Sequence, residues 1–110
     1  MITPTTFNKI RGIVGLDALI QQSAENPVAI FKHSNRCGIS AHVFEMLGSV
    51  TNSINYVVVQ EDRELSDEIE ARFGFRHHTP QAFVIKDGKA VYHASHYSID
   101  PAAIDAEFKS

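Results

Sequence analysis

Apolar runs alternate with helix-spaced stripes along this chain. Residues 28–31 (Val-Ala-Ile-Phe) and 54–59 (Ile-Asn-Tyr-Val-Val-Val) read as strands buried on both faces, because their apolar side chains follow one another rather than alternate with polar ones. Between them, a stretch opening at Cys37 or Gly38 is predicted helical, with Ala41, Phe44, Met46 and Leu47 turned inward and an end near Gly48. Upstream, Leu16, Leu19, Ile20 and Ala24 recur at helical spacing after Gly15 until Asn26-Pro27 stops them. A short edge strand is expected around residues 8–11, its limits blurred by Gly12 and Gly15. Downstream, Leu65, Ile69 and Phe73 lie four apart on a third helix that Gly74 closes. Residues 81–85 and 90–94 flank Lys86-Asp87-Gly88-Lys89, whose Asp-Gly pair is a hairpin signal. A last helix starts near Ser98 or Asp100, has Pro101 in its first turn and carries Ile104 and Phe108.

This order predicts an α/β architecture and brings three loops to one place. The crossover from strand 28–33 to strand 54–59 is right-handed and parallel, so both strands finish at the same edge of the sheet. With strand 81–85 antiparallel to 28–33, its start lies at that edge, as does the end of 90–94. Loops 33–37, 77–80 and 95–98 therefore converge, with residues 60–62 nearby.

A chain of 110 residues makes one domain, spanning 1–110, and buries about 65% of the surface that its unfolded form exposes, so it needs no disulfide or structural metal. Net charge is -3, with Lys and Arg scattered; this gives no electrostatic footprint for nucleic acid or an anionic membrane. No apolar stretch approaches the ~20 residues of a membrane span, and Met1-Ile2-Thr3-Pro4 lacks the start of a signal peptide. The expected setting is the cytoplasm, where thiols stay reduced, and the expected state is a monomer.

Cys37 is the one cysteine of the chain, which excludes an internal disulfide and every multi-cysteine zinc pattern. It stands where the polar turn His33-Ser34-Asn35-Arg36 meets the start of a helix. A thiol there faces the free amides of the first turn, and these favour the thiolate, the reactive form. The helix dipole supplies only about 0.3–1 kcal/mol at an exposed end, so further stabilisation is expected from the amides of Gly38, Ile39 and Ser40, the Ser40 hydroxyl and the Arg36 cation. The six histidines form no short ligand motif, and no metal is expected. His33 or His96, as imidazolium, is a candidate to stabilise the thiolate or a departing thiol.

A cysteine opening the helix after a central strand, with a proline just before the hairpin, resembles the thioredoxin fold. More specifically, residues 31–40 (Phe-Lys-His-Ser-Asn-Arg-Cys-Gly-Ile-Ser), with Thr79-Pro80-Gln81, Lys86-Asp87-Gly88-Lys89 and His93-Ala94-Ser95-His96, look like the YtxJ-type monothiol bacilliredoxins. That family is expected to carry proline after the cysteine, where this chain has Gly38. The resemblance implies a thioredoxin-like domain with a central mixed sheet of about four to five strands flanked by helices. It also implies removal of bacillithiol, a low-molecular-weight thiol, from S-bacillithiolated client proteins through a Cys37 mixed disulfide. Bacillithiol would be a co-substrate, with no cofactor. Two-cysteine relatives resolve such a disulfide with a second thiol three residues along, where this chain has Ser40. The implied substrate contacts are His33, Ser34, Asn35, Thr79, Pro80, Ser95, His96 and Tyr97. The resemblance also implies a cis Thr79-Pro80 bond, against the trans preference of most X-Pro bonds.

Two other readings stay open at this point. Cys-Gly-Ile-Ser differs by one apolar residue from the Cys-Gly-Phe-Ser of monothiol glutaredoxins, which suggests an iron–sulfur or glutathione-linked protein; Ser95-His96-Tyr97 stands where a Gly-Gly pair would be expected. A redox-inert binding module, with Cys37 as a small apolar residue, would show a thiol no more reactive with iodoacetamide than free cysteine.

Overall fold

The computed structural model describes residues 5–109. One mixed sheet holds five strands in the order β1-β3-β2-β4-β5. They are β1 (Phe7–Lys9), β2 (Val28–His33), β3 (Ile54–Val58), β4 (Gln81–Lys86) and β5 (Lys89–Ser95). β3 runs parallel to β1 and β2, whereas β4 is antiparallel to β2 and β5. Four helices cover it: α1 (Gly12–Gln22), α2 (Gly38–Met46), α3 (Arg63–Phe73) and α4 (Pro101–Lys109).

The continuous apolar runs explain the layering. Alternate side chains of β2 enter opposite cores: Ala29 and Phe31 pack with Val43, Leu47 and Ile104 under α2 and α4, while Val28 and Ile30 pack with Leu16, Leu65 and Ile69 under α1 and α3. A strand between two helical layers has no polar face, hence the lack of alternation. Lys32 is the exception: it is fully buried on the α3 side, with Nζ donating to the Ser66 carbonyl at 3.1 Å.

Local signals set most boundaries. Asp62 caps α3 by accepting the Leu65 N–H at 3.0 Å, and Gly74 ends it in the left-handed region at φ 76°. Asp87 and Gly88 both take positive φ, 51° and 73°, as a tight hairpin turn requires. The hairpin tip docks on the end of α1, where the Asp87 and Gly88 N–H groups donate to the Ser23 carbonyl and hydroxyl.

Three expectations need correction. α1 begins at Gly12, earlier than expected, because Gly12 at φ 68° opens the helix and Gly15 lies inside it; Ala24 falls past its end and is exposed. β1 covers Phe7–Lys9 rather than residues 8–11, since register with β3 stops at the Lys9–Tyr56 pair. The inner face of α2 is Ser40, Val43 and Leu47, with Phe44 half-buried, whereas Ala41 and Met46 are exposed. The inward stripe starts at a polar residue, which hydropathy alone points outward. Among the described residues no helix is long and apolar enough to cross a membrane.

Candidate active site at the carboxyl edge of the sheet

Strands β2 and β3 end together, and the turn leaving β2 leads into Cys37, the N-cap residue of α2, with extended backbone at φ -117° and ψ 120°. The thiol is free and half-buried. Its carbonyl accepts the Ala41 N–H at 3.0 Å, which closes the first helical turn. The sulfur itself accepts no capping hydrogen bond. The Gly38, Ile39 and Ser40 amides thus belong to the helix's free first turn, but in this rotamer they do not bond the thiol.

Ser40 is committed elsewhere. Fully buried, its Oγ accepts the Ser34 N–H at 2.9 Å and lies 2.8 Å from His33 Nδ1. This corrects the expectation that the Ser40 hydroxyl supports the thiolate: it holds the turn before Cys37 instead. His33 packs against the Phe44 ring, with centroids 4.6 Å apart, and burial pushes its pKa below the usual histidine range. That shift disfavours the charged ring and argues against His33 as the imidazolium candidate. Arg36 and Asn35 are exposed beside the thiol-bearing turn.

The opposing loop supplies Pro80, which is buried and follows a cis Thr79-Pro80 peptide bond. β4 starts directly after it, pairing Gln81 with Lys32 on one side and with Ser95 on the other. The Pro80 carbonyl accepts the His96 N–H at 2.9 Å, tying loop 77–80 to the end of β5. His96 takes φ 53°, and its ring meets His78 edge-on at 5.6 Å between centroids. Tyr97 is 65% exposed and lies edge-on to His42 of α2, at 6.1 Å between centroids. Turn 33–37, loop 77–80 and residues 95–97 thus rim one edge. Among the described residues, no three His, Cys, Asp or Glu side chains are grouped to hold a metal ion.

Three polar residues of this edge were not singled out as site residues from sequence. Gln60, just past β3, bonds Asn35 and Ser34. Gln81 is fully buried; its Nε2 donates to the Arg76 carbonyl at 2.9 Å and lies 2.8 Å from His93 Nε2, so it anchors loop 74–80. Lys32 has its pKa pushed down to about 8 by burial, against the opposing pull of Glu70 and Asp67. The available signal was a polar residue within, or directly after, an apolar run.

A free cysteine at the start of the helix after a central strand, across from a cis-proline loop, is an arrangement of the thioredoxin fold and supports a thiol oxidoreductase role. The family model described as Monothiol bacilliredoxin BrxC matches residues 8–104, and the chain belongs to that family. A solved structure described as having a thioredoxin fold is 27% identical, with a TM-score of 0.84 over 96% of this chain and 95% of that one. Thioredoxin from Malassezia sympodialis is 15% identical, with a TM-score of 0.72 over 99% of this chain and 92% of its own. A mutant thioredoxin from Halobacterium salinarum NRC-1 is 18% identical, with a TM-score of 0.69 over 94% and 88%. The two thioredoxins are similar in fold.

Proposed function

We propose that this protein removes bacillithiol from S-bacillithiolated proteins in the cytoplasm, acting as a monomer and using Cys37 as its one redox sulfur. The observation that carries the reading is a single half-buried thiol at the N-terminus of α2, with a buried serine hydroxyl three residues on, where a resolving thiol would be needed.

The Cys37 thiolate attacks the bacillithiol sulfur of the client's mixed disulfide. A bond forms between Cys37 and bacillithiol, the client's sulfur–sulfur bond breaks, and the client cysteine leaves as a thiolate that takes a proton from water. Ser40 cannot close an internal disulfide, so the adduct waits for an external thiol. A second bacillithiol thiolate then attacks its bacillithiol sulfur, releasing oxidised bacillithiol and the Cys37 thiolate. Neither step needs a cofactor. Thr79, with the cis peptide behind it, offers backbone groups to an extended client segment. Asn35, Arg36, Ser95, His96 and Tyr97 form the rim on which the small thiol rests, while Ser34, expected from sequence as a further contact, is buried beneath it and holds the turn.

The test mixes reduced protein with a bacillithiolated client and follows intact mass. The expected result is a Cys37 adduct with the mass of bacillithiol and loss of that mass from the client. The reading is abandoned if wild type gains no such mass, or if Cys37→Ala clears the client equally well.

A further inference from the structure

Three consecutive backbone amides lead into Cys37, and a side-chain oxygen holds each of them. The Ser34 N–H donates to Ser40 Oγ at 2.9 Å, the Asn35 N–H to Gln60 Oε1 at 3.1 Å, and the Arg36 N–H to Ser34 Oγ at 3.3 Å. Gln60 also donates from Nε2 to that same Ser34 Oγ, at 2.7 Å. It therefore serves two of the three amides, one directly and one by fixing the hydroxyl that accepts it. Its own place is set by the sheet: the Val59 N–H donates to the His33 carbonyl at 2.9 Å, which carries the β2–β3 pairing one residue beyond β3. An amide side chain suits this position because it accepts and donates across one planar group.

We infer that Gln60 is a positioning residue for the exchange at Cys37, a clamp that fixes the turn from which the sulfur approaches its disulfide. Displacement at sulfur requires the attacking, central and leaving sulfurs to lie close to one line. A protein with no second thiol nearby has one sulfur to place, and a small misplacement on a freed turn lowers the rate without changing the fraction of thiolate. Gln60 touches neither sulfur nor substrate in this scheme. The inference rests on Cys37 as the exchanging sulfur, but not on bacillithiol as the thiol it removes.

The experiment compares wild type, Gln60→Ala and Gln60→Glu in their reaction with the small disulfide 5,5′-dithiobis(2-nitrobenzoate), from about pH 6 to 10, alongside amide hydrogen exchange. Gln60→Ala is expected to lower the high-pH plateau rate about tenfold with an unmoved midpoint, and to speed exchange at Asn35 and Arg36 by about tenfold or more. Gln60→Glu, whose oxygens accept both the Asn35 N–H and the Ser34 hydroxyl, is expected to recover the plateau to within about threefold. An unchanged plateau, a loss explained by a moved midpoint, unaltered exchange at both amides, or no recovery in Gln60→Glu would each overturn the inference. A bacillithiolated client that fails to react with wild type would overturn the proposed substrate and leave this result standing.

Discussion

Ser40 Oγ lies 2.8 Å from His33 Nδ1 and completes a bridge between the end of β2 and the first turn of α2. A buried hydroxyl in the position of a resolving thiol is thus a structural pin, since it also accepts the buried Ser34 N–H. Ser40→Ala leaves that amide and the imidazole without their partner. The expected loss is about 1–3 kcal/mol, measured by urea unfolding, and a loss below about 0.5 kcal/mol would contradict the pin.

Acid is expected to destabilise the fold. Burial holds His33 and His93 below the usual histidine range, with His78 adding to the effect at His93. Unfolded histidines take up protons near pH 6.5, whereas the folded ones still resist. The unfolded chain therefore binds more protons just below that pH, and stability falls as pH drops through about 6.5. Urea midpoints at pH 7.5 and 5.5 check this, with His93→Gln expected to flatten part of the slope. Equal midpoints would show that these rings are not held neutral.

Lys32 gives the same sign in an alkaline window. Its pKa falls to about 8 in the fold, against about 10.4 when unfolded, so stability should rise between about pH 8 and 10 as the buried cation is discharged in the native state. Above that window Tyr92, whose phenol burial holds above its usual range, acts in the opposite direction. Lys32→Met is expected to gain about 1–3 kcal/mol at pH 7 and to lose the rise. A less stable variant with the rise intact would show that Nζ is not desolvated.

The ends of α3 offer a control on helix capping, with Gly74 at the end remote from the Gln60 segment. Asp62→Ala removes the bond to the Leu65 N–H and should cost about 1 kcal/mol. Gly74→Ala places a side chain at φ 76°, where a Cβ meets nothing within 4 Å, so its cost of about 1 kcal/mol is backbone strain alone. Differential scanning calorimetry should show the two losses adding in the double variant, because the residues sit at opposite ends of the helix.

Much of this architecture is legible because its signals are local. β2 and β3 stand out as apolar runs, Asp87-Gly88 names its turn, and Gly74 marks the end of its helix. The inner face of α2 does not stand out, because Ser40 is polar by type and becomes a core residue only through partners at positions 33 and 34. Gln60 stays hidden for a related reason: its two partners lie 25 and 26 residues away along the chain.

The order of residues alone determined the alternation of strands and helices, the single sulfur at the head of α2 and the proline before the hairpin, since each depends on neighbours a few positions apart. Tertiary structure decided what surrounds that sulfur. A partly desolvated His33, a buried Ser40, a Gln60 clamp and a desolvated Lys32 exist only once distant segments exclude water and meet, because hydrogen bonding and charge at a site follow from the groups packed against it.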